Sequence, residues 1–372
     1  MNNIKMVDLH RQYLRIKPEI DKAMEDVLNS TAFIQGPQVK EFASALAKYV
    51  GVEHVIPCAN GTDALQIAMM ALGLKPGDEV IVPVHTYVAT AEVIGLLGLV
   101  PVFVDVKADT FNINVDLIEG AITPKTKAIV PVHLYGQCAD MEAILKIASS
   151  HGLYVIEDTA QALGAVYQFA DGSKKRAGTI GTIGTTSFFP SKNLGCYGDG
   201  GAIFTRDADL AEKLRIIANH GQRIKYHHDV LGVNSRLDTL QAAILNVKLK
   251  YLPEYEERRR EVADYYDRHI SSRYVVKPVR SGFSTHVFHQ YTIKIQEKSR
   301  DDFQKYLTSS GIPSMIYYPV PLHLQPAYRR PGFDEGAFPV TENLSKTVIS
   351  LPIHTEMEAE QLEFICEKIN QF

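Results

Sequence analysis

The sequence predicts an α/β fold in which helices cover both faces of a mostly parallel sheet. Short runs of β-branched and aromatic residues alternate along most of the chain with longer segments whose apolar residues recur at helical spacing. This alternation is typical of a parallel sheet, because each return to the same edge of the sheet needs a crossover helix. With 372 residues the chain can bury a large core, which we expect to be divided into one large and one small domain.

The predicted strands of the sheet are short apolar runs bounded by turn or polar residues. They cover residues 54–59, 79–84, 100–106, 128–134, 154–158, 185–189 and 201–205. Helical stretches separate most of these strands. Residues 142–148 are a typical example, since their apolar side chains recur at helical spacing.

The pattern changes after a long helix rich in Leu and Ala, predicted at residues 239–250, which leads to Pro253 and a charged segment. The elements predicted beyond it are a strand at 290–295, a helix at 300–309, an aromatic strand around 316–320 and a final helix at 356–370. We therefore predict a large domain, residues 1–250, and a smaller α+β domain, residues 251–372.

The most informative stretch of the chain places Lys192 among small residues, directly after the strand at 185–189 and before a glycine-rich run at 198–201. A lysine amine is a nucleophile only when it is deprotonated, and burial or nearby positive charge lowers its pKa. A lysine so placed can form a Schiff base. We predict that Lys192 is the covalent anchor of pyridoxal phosphate (PLP); the alternative is a solvated turn after a buried strand.

Asp158 is the candidate partner for the pyridinium nitrogen of PLP, which needs a carboxylate to stay protonated. It ends the strand at 154–158, and open α/β sheets bind ligands at the carboxyl ends of their strands. Because side chains alternate along a strand, only one of Glu157 and Asp158 should face the site. We choose Asp158 because Gln161 follows three residues later, within reach of the phenolic oxygen. The alternative is an aspartate that caps the next helix.

The phosphate group of PLP needs backbone amides and hydroxyls. Gly61 and Thr62 lie between the strand at 54–59 and a helical pattern, and a helix N-terminus after a glycine turn favours anions. Ser187 could add a hydroxyl from the strand before the lysine. Turns of this composition are also common where no ligand binds, so this signal alone is weak.

An aromatic side chain is expected to cover the cofactor ring. The strand at 79–84 runs into a segment that contains both His85 and Tyr87. Tyr87 could stack on the pyridine and His85 is its rival, while either residue could instead pack in the core.

Six blocks of sequence, in order along nearly the whole chain, carry a resemblance to a known family. They are residues 60–65, 85–90, 131–136, 157–161, 187–192 and 234–238. On these blocks the chain resembles the PLP-dependent nucleotide-sugar aminotransferases, which are fold type I enzymes of the aspartate aminotransferase superfamily. The resemblance implies a fold type I PLP-dependent transferase that takes its amino group from glutamate.

The resemblance also implies roles for individual residues. Lys192 and Asp158 would be the catalytic pair. The residues that would bind the cofactor are Gly61, Thr62, Tyr87, Asp158, Gln161, Ser187, Lys192 and Asn234. In such enzymes an asparagine of the neighbouring subunit completes the phosphate site, and Asn234 is similar in position. The resemblance therefore implies a homodimer with active sites at its interface.

Three further stretches, residues 58–67, 134–140 and 194–201, most resemble one branch of the family. That branch aminates carbon 3 of UDP-2-acetamido-2-deoxy-3-oxo-glucuronate on the way to a lipopolysaccharide sugar. Substrate-binding candidates are Arg236, Tyr318 and His323. Arg236 could bind the uronate carboxylate with two parallel hydrogen bonds, and His323 could line the sugar site or merely pack. The chain has Tyr317-Tyr318 where members of that branch carry His-Tyr, which leaves the sugar contacts open.

The sequence alone leaves alternative functions open. A dTDP-linked 3-keto-6-deoxy sugar is a live alternative substrate, and a 4-keto sugar is a weaker one. A catalytically silent regulatory relative would keep the fold, although the presence of Lys192, Asp158 and Gln161 together argues against it. A nicotinamide dehydrogenase is disfavoured because no G-x-G-x-x-G fingerprint follows the first strand.

Composition excludes several classes of partner. The net charge of −4 and the pI near 6.4 leave no basic surplus for nucleic acid. Four widely spaced cysteines, and a start without the apolar core of a signal peptide, predict a cytoplasmic protein. The longest uncharged apolar stretch, 93–104, is too short to span a bilayer. No metal site is expected, because adjacent side chains such as those of His227 and His228 diverge.

Overall fold

The computed structural model describes residues 4–372. The helices in this part of the chain are α1 (Leu9–Ser30), α2 (Pro37–Val50), α3 (Gly61–Ala71), α4 (Ala89–Leu96), α5 (Met141–His151), α6 (Ala208–Ala218), α7 (Thr239–His269), α8 (Arg300–Ser309), α9 (Pro339–Thr347) and α10 (Ala359–Gln371). The strands are β1 (His54–Cys58), β2 (Glu79–Pro83), β3 (Val100–Val104), β4 (Thr126–Ile129), β5 (Tyr154–Asp158), β6 (Val166–Gln168), β7 (Lys174–Arg176), β8 (Ile183–Ser187), β9 (Gly201–Thr205), β10 (Gln222–Ile224), β11 (His227–His228), β12 (Val275–Val276), β13 (Tyr291–Ile295) and β14 (Val348–Leu351).

A seven-stranded sheet in the order β1-β9-β8-β5-β4-β2-β3 forms the centre of the molecule. All of its neighbouring strands are parallel except around β9, which runs antiparallel to β1 and β8. The predicted α/β class with a mostly parallel sheet is therefore confirmed. The largest difference in strand bounds is at β4, which ends at Ile129 rather than at residue 134, since Pro131 has no N–H to donate to a ladder.

Helices cover both faces of this sheet because its side chains alternate in direction. Val80 and Val82 pack with α3, α4 and α6 on one face, whereas Ile81 packs with α5 on the other. On that second face Phe42 of α2 and Leu245 of α7 cover β1 and β9. The two layers hold the strands rigidly, so the loops at their carboxyl ends have fixed positions.

A second, smaller sheet lies in the C-terminal part of the chain. Strands β12, β13 and β14 are antiparallel, and they pack with α8, α10 and the second half of α7. Residues of this core include Val262, Phe303, Ile349 and Ile365. This arrangement is the α+β pattern expected after residue 250. The domain boundary at that residue stays a prediction.

The predicted end of the long helix at residue 250 is wrong, because α7 continues to His269 with Pro253 inside it. Its buried face continues past the proline through Tyr255, Val262 and Tyr266. Packing along that face outweighs the loss of one backbone hydrogen bond at the proline. The helix therefore joins the core of the large sheet to that of the small one.

The predicted aromatic strand around residues 316–320 is also wrong. Only Met315 forms a bridge there, with Ser350, and the segment after it is irregular. Pro319 and Pro321 have no N–H groups, so the segment cannot complete a strand ladder.

Within the described residues, none of the helices is both long and apolar enough to cross a membrane. The same residues contain no group of three or more His, Cys, Asp or Glu side chains placed to hold a metal ion. The cysteines at positions 58, 138, 196 and 366 are all buried and free.

Candidate active site

A cavity of about 660 Å³ opens at the carboxyl ends of the parallel strands. Its walls come from the segments that follow β1, β2, β4, β5 and β8, and from two segments of the C-terminal part. The lining residues are Asn60, Gly61, Thr62, Asp63, Leu65, Thr86, Tyr87, Ala89, Val132, Asp158, Ala160, Gln161, Thr185, Thr186, Ser187, Phe189, Ser191, Lys192, Asp199, His289, Gln290, Tyr317 and Tyr318. Seven of the eight predicted cofactor-binding residues are therefore together, and Asn234 is the exception.

Lys192 lies on the wall of this cavity, in the loop between β8 and β9. The loop is closed by its backbone, since Lys192 N donates to Phe189 O at 2.8 Å and Cys196 N donates to Phe188 O at 2.8 Å. Burial lowers the pKa of Lys192 to about 8, although the charge of Asp158 acts in the opposite direction. The amine is therefore available as a nucleophile near neutral pH.

Asp158 and Glu157 point to opposite sides of β5, as strand alternation requires. Asp158 lines the cavity, accepting hydrogen bonds from Thr90 Oγ1 at 2.9 Å and from its near neighbour Ala160 N at 3.1 Å. Glu157 is fully buried on the other side, where the amides of residues 178, 180 and 181 and His133 Nε2 donate to it. Only Asp158 can contact a molecule in the cavity.

The N-terminus of α3 supplies an anion site at one end of the cavity. Asn60 caps the helix by accepting from Asp63 N at 2.8 Å, and within residues 4–372 the amides of Gly61 and Thr62 donate to no other group. A Cβ at Gly61 would lie 2.7 Å from Cβ of Ser187. Glycine at position 61 therefore allows the N-terminus of α3 to approach β8 closely. The two free amides at that N-terminus can bind an anion.

Tyr87 and His85 occupy different places. Tyr87 lines the cavity and is 57 % exposed, with its ring centroid 6.1 Å from that of Tyr318. His85 is buried behind the wall, where its Nε2 lies 3.1 Å from the hydroxyl of Tyr135. Of the two rivals, only Tyr87 is placed to stack on a ring in the cavity.

Gln161 is fixed at both ends of its amide. Its Oε1 accepts from Tyr135 N at 2.8 Å, and its Nε2 donates to the hydroxyl of Tyr318 at 3.1 Å. Tyr318, for which a role in substrate binding is predicted, also lines the cavity. The pair joins the large sheet to the irregular segment at 316–320.

Asn234 and Arg236 lie outside this cavity, in a neighbouring one of about 500 Å³. Arg236 Nη2 donates to Asn234 Oδ1 at 2.6 Å. The two cavities share Asn60 and Asp199 in their walls. Arg236 also borders a larger cavity of about 760 Å³ between α2, β1 and α6. Its lining includes neither Lys192 nor Asp158, so its greater volume does not make it the candidate site.

The structure does not bring His323 to the cavity. Its side chain is fully buried, with Nε2 3.0 Å from Oε1 of Glu342 and the ring 4.7 Å from that of Phe338. The expectation that it contacts substrate needs correction, because the imidazole packs in the fold beside a buried carboxylate.

Sequence analysis missed two residues of the cavity wall, Asp199 and His289, and also Thr90, which contacts Asp158 without lining the cavity. Thr90 donates to Asp158, Asp199 borders both cavities, and His289 lies beside Lys192. Thr90 and Asp199 stand in stretches already singled out for their resemblance. His289 stands between the apolar pair Val287-Phe288 and Gln290, just before a buried strand, and this local pattern gives no specific signal.

These residues fit PLP. The cavity offers an amine with a lowered pKa, a carboxylate held by a threonine, and a helix N-terminus whose first two amides are free. The arrangement can hold an aldehyde cofactor that carries a phosphate and a ring nitrogen.

Several known proteins resemble the chain over almost its full length. It is 49 % identical to the "Pleiotropic regulatory protein" of Geobacillus stearothermophilus, over 100 % of this chain and 98 % of that protein. It is also 49 % identical to the UDP-2-acetamido-2-deoxy-3-oxo-D-glucuronate aminotransferase of Pseudomonas aeruginosa, over 98 % of both. A dTDP-3-amino-3,6-dideoxy-alpha-D-galactopyranose transaminase of Aneurinibacillus thermoaerophilus is 44 % identical over 99 % of both.

Solved structures resemble the fold equally closely. A DegT DnrJ EryC1 StrS aminotransferase from Brucella abortus matches with a TM-score of 0.93 and 41 % identity, over 99 % of both chains. NtdA of Bacillus subtilis, with its cofactor PMP bound, matches with a TM-score of 0.88 and 32 % identity, over 100 % of this chain and 85 % of that one.

A model of one family matches residues 14–370. Full-length relatives at 49 % identity agree with it, and so does a cavity that unites the lysine, the acid and the helix N-terminus. The chain belongs to the DegT/DnrJ/EryC1/StrS aminotransferase family.

Proposed function

We propose that this aminotransferase moves an amino group from glutamate to carbon 3 of a nucleotide-linked keto sugar, with PLP bound in the 660 Å³ cavity. The acceptor we propose is UDP-2-acetamido-2-deoxy-3-oxo-glucuronate. The observation that carries the proposal is the presence of Lys192 and Asp158 in the wall of one cavity, one end of which presents the free amides of α3.

The residues around the cavity divide the work of holding PLP. Lys192 would anchor it, Asp158 would face the ring nitrogen, and Gly61, Thr62 and Ser187 would receive the phosphate. Tyr87 covers the ring. When bound, PLP supplies an electron sink for the charge that develops when a carbon beside the amino group loses its proton.

Lys192 also serves as the base and acid of the reaction. A lysine with a pKa of about 8 is present in both protonation states near neutral pH. Its neutral amine can therefore take a proton from the carbon that bears the amino group of the donor. The ammonium group so formed can give a proton back later in the same half-reaction. Asp158 stays in place through its hydrogen bond from Thr90.

The Pseudomonas aeruginosa relative supports the choice of sugar, since its name specifies that acceptor and it matches 98 % of the chain. Tyr318 is placed to contact the sugar from within the cavity. Arg236 is the candidate for the uronate carboxylate, because a guanidinium can bind both carboxylate oxygens at once. The proposed link to lipopolysaccharide synthesis rests on the resemblance of the chain to the branch of the family that aminates this sugar.

We propose that a second copy of the chain completes each site. Asn234 is exposed and lies in the neighbouring cavity with Arg236. A partner subunit could bring these two side chains to the phosphate and the sugar of the other copy. Four free cysteines are compatible with the cytoplasm as the place of the reaction.

A panel of keto sugars tests the proposal. The protein is converted to its pyridoxamine form with glutamate and then mixed with UDP- and dTDP-linked 3-keto and 4-keto sugars. Mass spectrometry should detect a 3-amino uronate product, and absorbance spectroscopy should show the return of the PLP form. A dTDP-linked amino product would replace the acceptor we name with the one suggested by the Aneurinibacillus thermoaerophilus relative. No product from any sugar would instead favour the regulatory role implied by the name of the Geobacillus stearothermophilus protein.

A further inference from the structure

A buried histidine borders the same cavity as Lys192. His289 is 6 % exposed, and its Nδ1 is buried without a hydrogen-bond partner among the described residues. Its Nε2 has only a long contact, 3.5 Å, with Nε2 of Gln290. A buried polar atom without a partner destabilises a fold, so such an atom indicates a partner present in another state of the site.

The segment that carries this histidine is held from two sides. Nη1 of Arg259, on α7, donates to the carbonyls of Phe288 at 3.0 Å and His289 at 3.3 Å. Nδ2 of Asn193, the residue after Lys192, donates to the carbonyl of Val287 at 3.1 Å. The backbone of His289 is thus fixed relative to the lysine loop.

A glycine contact fixes the same segment from a third direction. A Cβ at Gly136 would lie 2.9 Å from the amide nitrogen of Phe288 and 3.0 Å from that of His289. The two backbones approach closely only because residue 136 has no side chain. His289 therefore has little freedom to move away from the cavity.

Lys192 is the complementary group on the other side. No hydrogen bond to its Nζ exists within residues 4–372, and none joins it to His289 in this structure. Burial holds the pKa of His289 well below its usual value, and the charges of Lys192 and Arg259 lower it further. The titratable groups around the lysine are Asp63, Tyr87, Asp158, Asp199, His289, Tyr317 and Tyr318, with Arg259 behind the histidine. Because the imidazole of His289 is neutral, one of its nitrogens can accept a hydrogen bond.

We propose that His289 is a positioning residue for Lys192: when PLP occupies the cavity and the lysine amine is not bonded to it, a nitrogen of the His289 imidazole accepts a hydrogen bond from that amine. The contact would keep the freed amine facing the cavity, where it transfers protons. This inference rests on the role of Lys192 in the proposed function.

The test uses the cofactor-free protein and measures how fast Lys192 captures PLP as a function of pH. Borohydride fixes the bond at each time point, and peptide mass spectrometry quantifies the labelled Lys192. The variants are His289→Phe, which removes the acceptor, and His289→Gln, which keeps one. His286→Phe is the matched control, because His286 is 7 % exposed and stacks on Phe288 at 3.8 Å but does not line the cavity.

In His289→Phe the midpoint of the pH profile should fall by roughly one unit, because the protonated amine loses a hydrogen-bond acceptor. His289→Gln and His286→Phe should keep the wild-type midpoint. In the complete enzyme, kcat should fall severalfold in His289→Phe and recover in His289→Gln, with KM for glutamate little changed.

An unchanged midpoint in His289→Phe, or an equal shift in the His286→Phe control, would overturn the inference. Circular dichroism establishes that each variant is folded, and His289→Leu replaces His289→Phe if the latter does not fold. Failure of wild-type Lys192 to capture PLP at all would remove the proposed function itself, which distinguishes the two failures.

Discussion

Two lysines of this protein share one property and differ in everything around them. Burial lowers the pKa of both Lys192 and Lys248 to about 8. Lys192 lines a cavity of about 660 Å³ and lies near Asp158. Lys248 is 1 % exposed on α7, with its Nζ 5.1 Å from the centroid of the Tyr197 ring.

The comparison separates reactivity from function. Burial alone disfavours the charged form of an amine, so both lysines are more easily deprotonated than a lysine in water. A reaction also needs space for a substrate, an opposing acid and a site for the phosphate. Only Lys192 has all three, and a lowered pKa without a cavity, as at Lys248, reflects the fold alone.

The largest expected effect is the loss of turnover in Lys192→Ala. Removing the anchor and the proton-transfer group together should lower kcat by about 10²- to 10⁴-fold or more. Lys248→Met is the matched control and should keep near wild-type turnover, measured as 2-oxoglutarate released from glutamate. Multiple turnover in Lys192→Ala would show that the two lysines do not differ as described.

The next effect concerns the acid that distinguishes the two surroundings. Asp158→Asn should lower kcat roughly a hundredfold, because a neutral amide stabilises the protonated ring nitrogen far less than a carboxylate does. Glu157→Gln is the control from the neighbouring position. This substitution should lower thermal stability, because the carboxylate of Glu157 accepts hydrogen bonds from three backbone amides. It should leave kcat of the folded fraction unchanged. Equal losses of kcat in the two variants would contradict the opposite orientation of these side chains.

A smaller effect is expected at the phosphate site. Gly61→Ala forces a Cβ to within 2.7 Å of Ser187, which should weaken PLP binding by roughly 1 to 3 kcal/mol, or about fivefold to 150-fold in Kd. Gly95→Ala on α4 is the control, since nothing lies within 4 Å of the added carbon. Equilibrium titration with PLP compares the two. Unchanged affinity in Gly61→Ala would remove the helix N-terminus from the site.

The smallest effect appears in stability and leaves activity unchanged. In the folded protein Lys248, with a pKa of about 8, loses its proton above pH 8. In the unfolded chain the same lysine keeps its proton up to its ordinary pKa of 10.5. The free energy of unfolding should therefore rise with pH above 8, by about 2 kcal/mol from Lys248 between pH 8 and 10. Lys248→Met should remove this part of the rise in urea titrations, whereas Lys250→Met on the exposed side of the same helix should not. Identical slopes in all three proteins would show that Lys248 is not desolvated as its burial implies.

The sequence predicted the elements around Lys192 better than those of the C-terminal part. Strands β1, β2, β5 and β9 are apolar runs with clear ends, and strand alternation correctly placed Asp158 and Glu157 on opposite sides. The end of α7 could not be predicted, because Pro253 reads as a stop while long-range packing carries the helix onward. The segment at 316–320 has strand-like composition, but its prolines leave too few donors for a ladder.

The site was predicted where one chain segment carries the signal and missed where distant segments meet. Lys192 and Gly61 belong to local sequence motifs from which a chemical role could be inferred. His289 enters the cavity only because Arg259 and Asn193 hold its loop there, and neither contact can be read from nearby sequence. His323 shows the reverse case, since it was expected either to line the sugar site or to pack, and its imidazole packs beside Glu342.

Borohydride reduction of the PLP-loaded protein, followed by peptide mapping, tests the central claim most directly. We predict that the reduced pyridoxyl group is found on the peptide that contains Lys192 and not on the peptide that contains Lys248. A label on Lys248, or none on either lysine after loading with PLP, would contradict the account.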